Sequence, residues 1–450
     1  MEQLAYTKTE LHTHLFGMLS AKELLKIVQE YTNYIYWPLN KGIDNNSKLI
    51  KISEILEDEE AIDQLRIKHG KQVDYEELDN YYNTRTAIIS YLESLLFLNN
   101  NKKPIILEEL LSKDNDLRKI IMNETNYNES YYEDEGISII MKLMEHAKNA
   151  KTINPTMNMA CKKTVYSDYI NRALKELINS SVEYVEISYS YGKIISLMEI
   201  EPEIANKIKC KFLLSTGRDR SVKQMQESSK DLKEALSRGM TVGFDIMGQE
   251  QQLTDQEKVY RKGKRSKSFK RKLEILVDAL IDEKESNNTL RIHSGESRVS
   301  FGNTEWILNA LYEIKNDYLN MTPSKNILPP PELRIGHGLY FEKNDTYIQR
   351  LKDFHAIIEI NASSNLALGN INDYYSLPYD YYVGNGIPIV ISTDGHGLYD
   401  TDIKREDIIA QIISNHYDII SETDSDILER KMKQWFKLII QKVIIVFIKI

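Results

Sequence analysis

The chain has 450 residues, 42% of them hydrophobic, with 58 Lys and Arg against 67 Asp and Glu for a net charge of −9. That apolar content supports a sizeable core and excludes a disordered chain, and the length suits one large barrel or two ordinary domains. The acidic balance argues against general coating of nucleic acid, while leaving room for a local basic patch.

In chain order, eight β-type runs rich in Val, Ile or aromatics are predicted near 8–15, 183–189, 208–216, 241–247, 289–293, 333–337, 355–360 and 387–393. Helical periodicity separates most of them, over Ala21–Glu30, Asp168–Leu177, Lys223–Ser237, Phe269–Asp282, Thr304–Lys315 and Asp345–Asp353. Strand and helix alternating eight times predicts an α/β fold, a (β/α)8 TIM-type barrel spanning 1–450 as a single unit. Residues 40–150 exceed what a βα unit needs. Their helical patterns (Lys51–Leu65, Tyr75–Leu98, Ile105–Asn123) and the polar segment 123–136 read as a helical insertion after the first strand, either a lid, a homo-oligomer contact or a passive decoration. Cys161 and Cys210 make no disulfide framework, and Met1 is not followed by a signal sequence, so a cytoplasmic location is expected. The final stretch Phe436–Ile450 is apolar but interrupted by Lys437, Gln441, Lys442 and Lys449, and reads as a last helix packed on the core or on a second subunit rather than a membrane span.

Chemistry-bearing residues gather at the C-terminal ends of these predicted strands, where barrel enzymes keep their active sites. His12 and His14 are two apart on one strand and so share a face. With His293 and the carboxylate of Asp394 they make a set of nitrogen and oxygen donors suited to one zinc or similar divalent ion. Such a centre activates water.

Thr9-Glu10-Leu11-His12-Thr13-His14-Leu15, Glu183-Tyr184-Val185-Glu186, Gly243 to Glu250, His293-Ser294-Gly295-Glu296, Arg334-Ile335-Gly336-His337-Gly338 and Ser392-Thr393-Asp394 occur in one order along the chain. In this the sequence resembles the adenosine/AMP deaminase family over roughly 8–30 and 155–415. The resemblance implies hydrolytic deamination of an adenine nucleoside or nucleotide. It implies that Glu296 protonates the purine N1, and that His337, with Asp394, orients and deprotonates the attacking water. Gly248 brings backbone close to the purine, and Glu359 is expected to hold His337 by a hydrogen bond or to form a buried ion pair.

Two departures bear on the substrate. The family's Asp-Asp pair reads Asp394-Gly395-His396, so a base-contacting carboxylate is missing and His396 is the candidate replacement. The aspartate usual after His-x-His-Leu is Phe16. Lys258–Lys272 holds nine Lys and Arg and no acid, and Arg218 and Arg220 follow the third strand. Cations at a barrel mouth would attract phosphate, favouring a 5′-phosphorylated (deoxy)adenosine, although a solvated loop has the same composition. Family members with large insertions and nucleotide substrates occur in antiviral defence, a context brought in by analogy alone. The competing readings are a purine-salvage adenosine deaminase, another amidohydrolase and a nucleoside-binding pseudoenzyme.

Overall fold

The computed structural model describes residues 9–31, 34–39, 48–68, 72–98, 104–106, 155–190, 195, 198–239, 241–250, 253, 262–281, 288–321 and 332–416. The polar segment 123–136 and the apolar end 436–450 lie outside them.

Eight strands form one parallel sheet in sequential order: β1 (Thr9–His14), β2 (Tyr184–Tyr189), β3 (Lys209–Gly217), β4 (Thr241–Met247), β5 (Thr289–Ser294), β6 (Glu332–His337), β7 (Ile357–Ile360) and β8 (Ile389–Ile391). Helices α1 (Ala21–Tyr31), α2 (Tyr75–Leu95), α3 (Pro155–Asn179), α4 (Val222–Ser237), α5 (Lys262–Ile281), α6 (Asn303–Met321), α7 (Asp345–Asp353) and α8 (Ile403–His416) accompany it. Most strands are buried nearly throughout, as parallel strands covered by helices must be. The sheet closes into a (β/α)8 barrel through a single bridge, Thr13 to Asp394, in which the Asp394 amide donates to the His12 carbonyl at 2.8 Å. The buried Glu10 carboxylate reinforces that seam by accepting from the His12 amide at 3.0 Å and the Thr393 amide at 3.1 Å.

The predicted strands and observed strands agree to within two residues. The last two are shorter than expected for local reasons. His355 takes a positive φ of 49° as the chain leaves α7, which delays β7, and Asp394 turns out of the sheet with φ 65°, beyond the end of β8.

Between β1 and β2 the chain departs from the all-helical expectation. Tyr34–Trp37 and Lys48–Lys51 pair antiparallel, as do Leu96–Leu98 and Pro104–Ile106. The aromatic and β-branched composition of Tyr34-Ile35-Tyr36-Trp37 favours a strand over a helix. The helix expected over Lys51–Leu65 is two helices, Ile52–Glu57 and Glu59–Asp63, because the Asp58 side chain accepts from the Glu60 and Ala61 amides and caps a new N-terminus. Ile105 and Ile106 lie in a strand, and the rest of the helix expected to Asn123 falls outside the described residues.

Arg85 fastens α2 to the barrel. Its buried guanidinium donates to the carbonyls of Phe16 (2.7 Å), Leu65 (2.5 Å) and Leu19. Arg85→Ala would leave three carbonyls without this donor, at about 1–3 kcal/mol for each that water cannot reach. A large fall in the urea or thermal midpoint is therefore expected, and a midpoint unchanged from the parent would show that α2 is held by other contacts.

Candidate metal centre

The ends of β1, β5 and β6, Asp245 on β4 and the turn after β8 bring four imidazoles and two carboxylates together at the C-terminal mouth. The His12 ring centroid lies 4.6 Å from that of His293, 5.4 Å from His337 and 5.5 Å from His14. Asp394 Oδ1 is 3.3 Å from His14 Nε2 and 3.5 Å from His12 Nε2, and Asp245 Oδ1 is 3.4 Å from His293 Nε2. Glycine makes room for this crowding: a Cβ on Gly336 would sit 2.9 Å from His12 Cε1. His337 (φ 70°) and Asp394 (φ 65°) both hold left-handed backbone, a strain of about 1–3 kcal/mol each that tends to accumulate at functional sites.

The electrostatics keep both carboxylates charged beside the imidazoles. Burial pushes the Asp394 carboxyl up, but the adjacent His12 and His14 imidazoles outweigh it and hold the group well below the usual carboxylate range. Burial is likewise overcome at Asp245 by Arg291 and His293. Desolvation drives His293 down to about 3, so its imidazole is neutral. At His12, burial and Arg291 disfavour charge, yet Asp394 and Glu359 prevail and lift it to about 9.

Four buried atoms here, His12 Nε2, His293 Nε2, His337 Nε2 and Asp245 Oδ1, have no hydrogen-bond partner. Buried polar atoms without partners are costly, and a shared ligand removes the cost. Among the described residues three overlapping sets have donor atoms all within 4.8 Å of one another: His12, His293 and His337; His12, His14 and Asp394; and His14, Asp245 and His293. Neutral imidazole and carboxylate are donors that zinc and similar divalent ions take, so these residues fit such an ion.

The other candidates divide. Glu296, on a turn opened by Gly295 at φ 67°, puts Oε1 3.8 Å from His337 Nε2. Its amide is tied at 2.8 Å to Glu250, which Asn303 in turn holds. Gly248 takes φ 95°, and a Cβ there would meet nothing nearer than Gly217 Cα at 3.9 Å.

Glu359 keeps the expected buried ion pair, with Arg291 at 3.6 Å, but not the expected hydrogen bond to His337, and the surroundings of Arg218 and His396 are defined. Glu359 holds His12, not His337, with Oε2 2.9 Å from His12 Nδ1; the Nδ1 of His337 is held instead by Asn365 Oδ1 at 3.0 Å. Arg218 is buried and spent on structure, donating to the Gly248 and His293 carbonyls beside Glu250, because its side chain turns inward across the ends of β4 and β5. His396 is also buried and faces Glu176 of α3 at 3.5 Å. Of the basic stretch, Lys270 pairs with Glu313, Arg271 with Glu274, and Lys272 donates to the Arg218 carbonyl. The side chains of Lys258, Arg261, Lys262, Lys264 and Arg265 fall outside the described residues.

Sequence reasoning passed over Asp245, Asn365 and Ser364, the last of which donates to Asp394 Oδ2 at 2.6 Å. An acid in the middle of an otherwise apolar strand was the available sign for Asp245. Asn365 and Ser364 lie on the short helix Ala362–Ala367 and carry no such sign.

The profile of the family described as adenosine deaminase matches residues 332–427. The adenine deaminase of Rhizobium johnstonii is 36% identical over 73 residues, which is 16% of this chain and 23% of that protein. The adenosine deaminase of Plasmodium gallinaceum is 26% identical over 165 residues, 37% of this chain and 35% of that protein. Over these segments the chain is similar to adenosine and adenine deaminases. Its matched segments span roughly a quarter to a third of these curated relatives. The barrel also superposes on the apo structure of the N6-methyl-AMP deaminase of Arabidopsis thaliana, with TM-score 0.50 and 17% identity over 97% of this chain and 96% of that one, a likeness of fold.

Partners of this kind, fixing the far nitrogen of a liganding imidazole, tune ion affinity by about 10–100-fold. Glu359→Gln should therefore lose a bound divalent ion to a competing chelator at correspondingly lower chelator concentration. Unchanged retention would mean that the Glu359–His12 contact does not support the ion.

Proposed function

We propose that the chain hydrolytically deaminates an adenine-type base carried as a nucleoside or nucleotide, releasing ammonia and leaving the hypoxanthine form. The observation that carries this reading is the convergence of buried, partnerless imidazole nitrogens with Asp394 at a barrel mouth that also holds Glu296. His12, His14, His293 and Asp394 would hold one divalent ion, zinc being the best match to the donors. Such an ion supplies Lewis acidity that makes water nucleophilic at neutral pH.

The chain's own residues do the rest. His337, its Nδ1 fixed by Asn365, presents Nε2 to take the proton of the attacking water. Asp394, clamped by Ser364 and close to His12 and His14, orients that water. Glu296 donates a proton to the ring nitrogen beside the attacked carbon, so that the nitrogen's electron pair is not left as a buried anion. Gly248 offers bare backbone to the flat base. As the C–N bond breaks, the proton taken by His337 passes to the amino group, which leaves as ammonia, and the proton of the new hydroxyl returns to Glu296 as the carbonyl forms.

A narrower proposal is that the substrate carries a 5′-phosphate. Its support is the exposed Arg220 after β3, together with the cation-rich start of α5; Arg218 and Lys272 no longer contribute. A role in antiviral defence, rather than purine salvage, rests on analogy.

The test is a panel of adenosine, deoxyadenosine, AMP, dAMP and ATP, followed by ammonia release and loss of adenine absorbance. Glu296→Gln should fold and retain metal yet lose roughly 10²–10⁴-fold in rate, the span of general acid–base contributions. A near-normal rate would remove Glu296 from the mechanism. Absence of turnover across the whole panel by the metal-loaded parent would favour a nucleoside-binding protein without activity. Replacing Lys262, Lys264 and Arg265 together should raise KM for a nucleotide alone; an unchanged KM would refute the phosphate role.

A further inference from the structure

Helix α2 reaches the barrel mouth from outside the βα framework, and it brings a hydroxyl with it. Tyr82 points its OH at the Gly17–Gly395 junction: a Cβ on Gly17 would lie 3.5 Å from that oxygen, 3.1 Å from Gly395 Cα and 3.7 Å from the Asp394 carbonyl. Arg85, one turn further along α2, pins the helix to the Phe16 and Leu19 carbonyls on either side of Gly17, so the phenol is held in place.

Gly395 itself leaves this spot empty of side chain. It has φ 157°, and a Cβ there would crowd Gly17 Cα at 3.1 Å and Gly17 O at 3.3 Å. The backbone that closes the barrel therefore presents no polar side chain of its own at this position, directly beside Asp394. Burial first, with the negative charge of Asp394 adding to it, opposes ionisation of the Tyr82 phenol, which stays a hydrogen-bond donor.

We propose that Tyr82 is a specificity-determining residue of the deamination, its hydroxyl donating a hydrogen bond to N7 of the purine. The inference rests on the reaction proposed above. The choice of atom follows from the base. The attacked carbon, C6, has two ring acceptors on its edge, N1 bonded to it and N7 across the ring fusion. With Glu296 taking N1 and the attack coming from the Asp394 side, N7 is the acceptor left for a hydroxyl beside Gly395. The stretch between β1 and β2 thereby completes the base pocket.

The variant is Tyr82→Phe, which keeps the ring and removes only the donor. The probes are adenosine and AMP, each paired with its 7-deaza analogue, in which a C–H replaces the acceptor. The metal-loaded parent should prefer the natural member of the pair by about 3- to 10-fold in kcat/KM, the span of one neutral hydrogen bond. Tyr82→Phe should lose that preference by slowing on the natural compound alone, with metal content and thermal midpoint unchanged. Equilibrium binding of the same pairs to metal-loaded Glu296→Gln, with Tyr or Phe at 82, separates this idea from the reaction. A nitrogen preference that Tyr82→Phe erases supports Tyr82 even if the parent turns nothing over, an outcome that would sink only the deamination. No preference in the parent, or a preference that survives Tyr82→Phe, overturns the role of Tyr82 whatever the turnover. Binding of neither compound overturns both.

Discussion

Beneath the candidate centre, Arg291 sits fully buried with one guanidinium nitrogen 2.9 Å from Asp245 and another 3.6 Å from Glu359, and it also donates to the Leu11 carbonyl at 2.7 Å. Arg334 continues the pattern, 2.6 Å from Glu186 and 3.6 Å from Glu359. Charges so deep are tolerated only when paired and hydrogen-bonded, and breaking one such pair typically costs about 3–5 kcal/mol. The two carboxylates that Arg291 holds each serve an imidazole above: Glu359 fixes His12, and Asp245 faces His293. The donor ring at the mouth therefore stands on a layer of paired charge inside the barrel. That layer explains why polar side chains such as Asp245, Arg291 and Glu359 occupy strands that otherwise read as apolar.

The mouth adds a second constraint, from the backbone. His337 and Asp394 both take left-handed conformations at or just past strand ends, and a Cβ on Gly336 or Gly395 would crowd His12 or Gly17. In regular strand geometry successive side chains point alternately into the barrel and out towards the helices. Turning them where they stand gathers donors from β1, β5 and β6 and from the turn after β8 around one point.

The architecture was legible because each strand is a short apolar run bounded by turn signals, and because a repeat of eight leaves few topologies. The donors were legible for a similar reason: His12 and His14 share a strand face, and His293, His337 and Asp394 mark strand ends. What could not be read was pairing between distant side chains. Whether Glu359 meets His12 or His337 depends on the stagger of β7 against β6, and whether Arg218 faces solvent or His293 depends on a side chain turning inward. Composition at Lys258–Lys272 could not show that Lys270, Arg271 and Lys272 are engaged by Glu313, Glu274 and the Arg218 carbonyl. Between β1 and β2 no repeat guides the reading, so the two antiparallel pairs and the break at Asp58 went unseen.

The central claim is that a divalent ion held by the buried donors lets water replace the amino group of an adenine ring. It is tested most directly by incubating the protein with adenosine and AMP in water enriched in heavy oxygen, and following ammonia release together with the label in the product base. The account predicts one labelled oxygen for each ammonia released, loss of both after exhaustive chelation, and recovery on adding back zinc. Ammonia release that survives complete removal of metal, or none from the zinc-loaded protein with either compound, would contradict it.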